Sequence, residues 1–252
     1  MILGVGNMQK NEQELRVQLA ACYRIFDYMG WSELIYNHIT AKIPGPDEHF
    51  LINPYGLSYG EVTASNLIKV DIDGTVIDET NFKPNPAGML IHSAIHSSRQ
   101  DVVCISHLHT TDGMAVACNK EGLRADNFYS VLLHNQVAYH DFEGITVLPE
   151  EKIRIVKNLG NKNQMIFRNH GLLSCGQSIP ECFMNTWLLQ RACEIQNKRD
   201  ASGQAANNID ADGILKKSAE LSNIQRSGYG IGELEFEAMV RKIEAIDASY
   251  KY

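Results

Sequence analysis

Apolar positions in this chain follow a helical period at its two ends and short strand-like runs between them. Leu15, Leu19, Cys22, Ile25, Phe26 and Met29 recur three and four residues apart, which predicts a helix from a cap at Asn11 to about Gly30. Strands are predicted at 39–43 and 50–53, separated by Pro-Gly-Pro-Asp. Residues 69–77 predict a hairpin, because Asp73-Gly74 sits between alternating apolar residues. A helix is expected over 87–98, a buried strand over 102–109, and a helix behind it over 110–119. Further strands are predicted at 131–139, 145–148 and 164–168, with a helix opened by Pro149 running to about Asn158. A long helix is expected over 179–199. Residues 200–232 turn rich in Ala, Asn, Gly and Ser, and read as an irregular arm with one helical turn. A last amphipathic helix covers 233–248.

The alternation predicts one α/β domain around a central sheet of mostly antiparallel strands. It divides the chain into a main domain over 1–199 and an arm over 200–252, packed on the same domain or on a neighbouring subunit. With 252 residues, 44% of them hydrophobic, the chain is long enough for a substantial core. A net charge of -7 argues against nucleic acid as a partner. No run of eighteen apolar residues predicts a membrane span, and the N-terminal residues lack the charge-then-apolar order of a signal peptide. Six scattered cysteines without a CxxC pair read as buried thiols, so a cytoplasmic location is expected.

Candidate chemistry concentrates in histidine. His107 and His109 are two apart on a predicted strand and share a face. His170, in Asn169-His170-Gly171, ends the next apolar strand, where Gly171 is expected to let the backbone turn and aim the ring at the sheet. Three histidines would fill three corners of a tetrahedron and leave the fourth open, as working metal sites do. A competing pair, His92 and His96, lies at i and i+4 of a helix but lacks the HExxH glutamate. Tyr139-His140-Asp141 offers groups that move protons or orient a ligand, and equally a structural turn. Glu61, Glu143 and Glu181 are spare carboxylates with no stated place. There is no GxSxG elbow, and the two GxG fragments lack a strand-to-helix setting.

Ser106-His107-Leu108-His109-Thr110 and Arg168-Asn169-His170-Gly171 resemble the metal motifs of the class II aldolase/adducin family. The resemblance to the adducin head domain is closer, through Ile35-Tyr36-Asn37-His38-Ile39-Thr40, Glu61-Val62-Thr63-Ala64-Ser65, Val137-Ala138-Tyr139-His140-Asp141 and Ala192-Cys193-Glu194-Ile195-Gln196. It spans about residues 11 to 250. It implies a single three-layer α/β/α domain with a central, mainly antiparallel sheet, and a homotetramer with sites between subunits. It also implies a divalent metal, Zn²⁺ first and Fe²⁺ second, on His107, His109 and His170. In the family's sugar-phosphate aldolases the zinc polarises a carbonyl and stabilises an enediolate, while a glutamate moves the proton.

This chain departs from that pattern. Gly88 stands in the place of the family's glutamate, Pro86-Ala87 in place of phosphate-holding serines, and Asn53-Pro54-Tyr55-Gly56 and Tyr36-Asn37 in place of two further phosphate turns. A general base contributes roughly two to four orders of magnitude, so sugar-phosphate cleavage is not expected. The resemblance therefore implies a metal-dependent lyase, aldolase-like or a decarboxylase, on a small carbonyl or carboxylate compound. Asn37, Asn53, Gly88 and His92 would line the substrate, and Tyr139 and His140 would replace the missing acid/base. The alternatives are a family-related Fe(II) oxygenase and a non-catalytic, adducin-like binding module of actin/cytoskeleton type. Adducin's basic tail is not found in these 252 residues, which argues against a cytoskeletal role.

Overall fold

The computed structural model describes residues 12–144, 149–205 and 228–252, and 207, 209, 213, 214, 216 and 217 between them. The helices are α1 Glu12–Tyr28, α2 Pro86–Ser98, α3 Thr111–Ala117, α4 Phe128–Leu132, α5 Glu151–Leu159, α6 Ile179–Ala201 and α7 Glu233–Glu244. The strands are β1 His38–Lys42, β2 Phe50–Ile52, β3 Ile68–Val70, β4 Cys104–Leu108, β5 Val137–His140, β6 Gln164–Phe167 and β7 Gly171–Gly176. The strands form one sheet in the order β3-β2-β1-β4-β7-β6-β5. Every pairing is antiparallel except β5 with β6.

Alternation along the strands sends side chains to two apolar layers. On one face Ile105, Ala138, Met165, Phe167 and Leu173 pack under Ile91 and Ile95 of α2 and Ile155 and Leu159 of α5. On the other, Ile39, Leu51, Cys104 and Leu108 meet α1, the start of α6, and Phe236 and Ile243 of α7. Ile166 and Leu172 meet Val116, Leu189 and Cys193 of α3 and α6 there. The result is three layers, α/β/α, with the sheet in the middle. The C-terminal turn is stitched back onto this second layer. Tyr250 is buried beside α1, and Ala64 and Ser65 donate backbone N–H groups to Tyr250 and Tyr252 carbonyls at 2.8 and 3.2 Å.

Three differences from the sequence pattern have local causes. The predicted strand over 131–139 divides. Asn127 caps α4 by accepting the N–H groups of Tyr129 and Ser130, and left-handed Asn135 then turns the chain into β5. The cap outweighs the apolar run Val131-Leu132-Leu133. Strand β7 was not anticipated, because it is buried on both faces and so shows no alternation. The predicted strand at 145–148 and the Asn11 cap lie outside the described residues, as does much of the arm over 200–232. The 69–77 hairpin is present as β3 with a Val70–Val76 bridge, its turn held by the Asp71 carboxylate and by Gly74 at φ +84°.

Tyr250→Ala should lower stability by about 3 kcal/mol, the usual cost of emptying a large buried side chain. Ser65→Ala, which loses one exposed hydrogen bond to the Tyr252 carbonyl, should cost under about 1 kcal/mol. Urea denaturation measures both, and equal effects would show that the C-terminal turn is not anchored through Tyr250.

Candidate metal centre

Strand β4 carries His107 on the α2 face, two residues beyond Ile105. The strand stops at Leu108. His109 follows on the link to α3, whose first turn is capped by the Thr110 hydroxyl accepting the Gly113 N–H. Asn37 fixes that link, since its Oδ1 accepts the His109 N–H at 2.9 Å while its Nδ2 donates to the Trp31 carbonyl at 2.8 Å. The third ring comes from the β6–β7 turn. There Asn169, not Gly171, takes the left-handed conformation, at φ 57°. Gly171 serves a different need, because a side chain there would run into the Leu108 carbonyl and the His109 ring. The turn can therefore press His170 against the end of β4.

These two turns bring three Nε2 atoms together. His170 Nε2 lies 3.0 Å from His109 Nε2 and 3.3 Å from His107 Nε2. Nitrogens bound tetrahedrally at a metal–nitrogen distance of about 2.0–2.1 Å stand about 3.3 Å apart, so both spacings from His170 suit a shared ion, and the three ligand atoms lie within 4.8 Å of one another. The protonation state suits one as well. Burial, then repulsion from His170, pushes His109 down to about 4; burial and the neighbouring histidines push His107 well down, and burial lowers His170. All three rings are neutral at pH 7, as ligation requires. His107 Nδ1 is buried without a hydrogen-bond partner among the described residues, and the group holds histidines only.

The other candidates are distributed unevenly. His92 is fully buried, with Nε2 3.0 Å from His38 Nδ1 and Nδ1 2.7 Å from the Thr40 hydroxyl. Both of its nitrogens are engaged by protein. His140 lies on the same face as the triad but behind the Phe167 ring, which touches both His140 and His107. It faces Glu151 through Nε2 at 3.3 Å and Asn158 through Nδ1 at 2.9 Å. Tyr139 and Asn53 point to the opposite face. The Tyr139 hydroxyl accepts the Leu123 N–H under the Arg168 guanidinium, and Asn53 Oδ1 lies 2.9 Å from the Tyr23 hydroxyl of α1. Neither is brought to the three histidines. Glu61, Glu143 and Glu181 bind Ser58, Arg154 and the Gln177 backbone respectively.

His38 also stands beside the three histidines, a neighbour not expected from the sequence. It is 2% exposed, pairs directly across the strands with His107, and its ring centroid lies 5.2 Å from that of His107. A Cβ placed on Gly88 would lie 2.8–2.9 Å from the His38 ring. The missing side chain at position 88 is thus matched by an imidazole that fills its space. His38 and Thr40 are two apart on one strand, which was the available signal for a second histidine cluster.

Residues 17–197 match the class II aldolase and adducin N-terminal domain. The chain is 46% identical over 247 residues to alpha-adducin of Rattus norvegicus, covering 93% of this chain and 34% of that one. It is similar to an aldolase II superfamily protein from Pseudomonas syringae, with a TM-score of 0.91, 41% identity and 98% of each chain covered. An L-fuculose 1-phosphate aldolase from Glaciozyma antarctica PI12 superposes with a TM-score of 0.84 at 27% identity, covering 100% of this chain and 97% of that one.

Two outcomes follow from the packing. In a free helix Gly→Ala gains about 1 kcal/mol, yet Gly88→Ala should lose about 1–3 kcal/mol through overpacking against His38. The His38→Ala/Gly88→Ala double variant should then be more stable than the sum of the two single losses, read from denaturation midpoints. Strict additivity would separate the two positions. The second outcome concerns acid. Burial holds His38 and His96 down to about 3 and His109 to about 4. Unfolded histidines take up protons near pH 6.5, so between about pH 6.5 and 4 the unfolded chain binds more protons than the fold. Stability should therefore fall as pH drops through that window. A melting temperature constant between pH 7 and 5 would contradict this.

Proposed function

Because the chain belongs to the class II aldolase/adducin family, we propose that it is a divalent-metal-dependent lyase acting on a small carbonyl or carboxylate compound. The observation that carries this reading is the convergence of three neutral Nε2 atoms at ligand spacing. His107, His109 and His170 would hold Zn²⁺, or Fe²⁺, both of which suit imidazole donors. A metal bound there supplies a Lewis acid that polarises a carbonyl or carboxylate oxygen of the substrate.

The protein's own part is to fix that donor set. Asn37 sets the backbone of His109, Asn169 sets the turn of His170, and Phe167 packs against the inner edge of the group. The His140–Glu151 pair lies behind Phe167 and buttresses it. Sugar phosphates are disfavoured as substrates, because His38 takes the space in which a side chain at position 88 would stand. We place the protein in the cytoplasm as a homo-oligomer, tetrameric by family likeness. Among the described residues no helix is long and apolar enough to cross a membrane. The 46% identity to alpha-adducin supports a second reading, a binding module without catalysis.

Elemental analysis of untagged protein separates the readings. One equivalent of zinc or iron, lost in His107→Ala and His170→Ala, with turnover of a hydroxy- or keto-acid, is the expected result. Iron with oxygen consumption would instead indicate an oxygenase. Metal-free protein, unaffected by either substitution, would sink the enzyme reading and leave the binding module.

A further inference from the structure

A second cavity lies on the side of α2 turned from His38. Gly88 and His92 face the His38 ring, whereas Leu90 and Ser93 stand roughly half a turn round the helix from them. There the hairpin after β3, the start of α2 and the start of α5 enclose about 480 Å³. Small-molecule sites usually measure about 300–1,000 Å³ and are mostly apolar, with a few polar groups that orient the ligand.

The walls are apolar and set by the backbone. Val76, Pro84, Pro86, Met89, Leu90 and Pro149 line the cavity, and each proline ring locks its own φ. The hairpin tip is held by the Asp71 carboxylate, which accepts the Asp73 and Thr75 N–H groups. That tip sits directly on Met89, since a Cβ placed on Gly74 would lie 3.4 Å from Met89 Cγ. Walls fixed by a tied turn and three rigid rings keep their shape without an occupant, so a ligand has little to order on entry.

The polar groups of the lining are Lys83, Lys152, Asp73 and Ser93. Neither lysine forms an ion pair among the described residues. The Lys152 ammonium donates to the Ser93 hydroxyl at 3.0 Å, and that hydroxyl, on a residue 4% exposed, donates to the Leu90 carbonyl at 3.3 Å. Ser93 thus orients the ammonium and takes one of its three hydrogens, leaving two for another acceptor. A half-buried ammonium beside apolar walls regains from an anion the polar contacts that burial removes. Two ammonium groups and one carboxylate leave a single positive charge, which complements a monoanion and not a phosphate dianion.

We propose that this cavity binds a small carboxylate with an apolar body. Its charged end lies between Lys83 and Lys152, and its body runs along Met89, Leu90 and the prolines. The site goes beyond the metal-dependent reading and does not depend on it.

Calorimetry with octanoate as the probe tests this. Octanoate should bind saturably, while octanamide, which lacks the charge, and acetate, which lacks the body, should bind at least about tenfold more weakly. Lys152→Met should weaken octanoate about tenfold or more, and Lys152→Arg should largely restore it. His107→Ala, which removes a histidine of the triad, should leave octanoate binding unchanged. No saturable binding at about 1 mM octanoate would overturn the inference. So would binding that survives Lys83→Met/Lys152→Met, or binding lost in His107→Ala, which would put the carboxylate at the metal centre.

Discussion

His170 Nε2 lies 3.0 Å from His109 Nε2 and 3.3 Å from His107 Nε2, and neutral rings supply too few protons in that geometry for both contacts to be good hydrogen bonds. Holding them there without an ion is unfavourable, and the cost is met by elements that need no metal to form. Strand β4 is buried in the centre of the sheet, Asn37 ties its exit, and the Asn169 turn is locked between β6 and β7. A rigid, partly unsatisfied donor set is what gives a metal site its affinity, because binding does not have to order the ligands.

The same constraint explains the asymmetry between the two faces of the sheet. The α1/α6 face carries an extended apolar core with the C-terminal turn folded into it. The α2/α5 face gives up part of that role to histidine. Seven of the nine histidines in the chain, His38, His92, His96, His107, His109, His140 and His170, connect on this face through ring contacts and hydrogen bonds. Polar groups that deep are tolerable only when paired or ligated. His92 and His140 are paired by protein at both nitrogens, whereas the triad is not, and that contrast sets the triad apart.

Much of the architecture was legible from local pattern. The helices α1, α2 and α6 declare themselves by spacing and by Pro86 and Pro180 at their starts, and the Asp-Gly hairpin by its turn. The histidine cluster was also legible, because His107 and His109 stand two apart at the end of one predicted strand and His170 closes another. Strand β7 was not, since a strand buried on both sides has no alternation. The companions of the triad were harder still. Asn53 and Tyr139 carry suitable chemistry, yet strand parity sends them to the far face. His38 reaches the site through the β1–β4 register, which pairs it with His107 across 69 residues of chain.

Position 88 shows most clearly what a missing group means. From the residue alone, glycine reads as a loss, the removal of a proton-handling side chain from an otherwise retained metal frame. In the folded protein it is half of a pair, because the space above Gly88 is filled by the His38 imidazole, whose Nδ1 lies 3.0 Å from His92 Nε2 of α2, and His92 is held in turn by the Thr40 hydroxyl. A relic site would be expected to collapse or fill with apolar side chains, since buried polar groups without a task are costly. Here the vacated volume holds another polar ring, backed by three hydrogen-bonding groups in sequence. The space beside Gly88 is therefore filled by a hydrogen-bonded polar ring and not by apolar repacking.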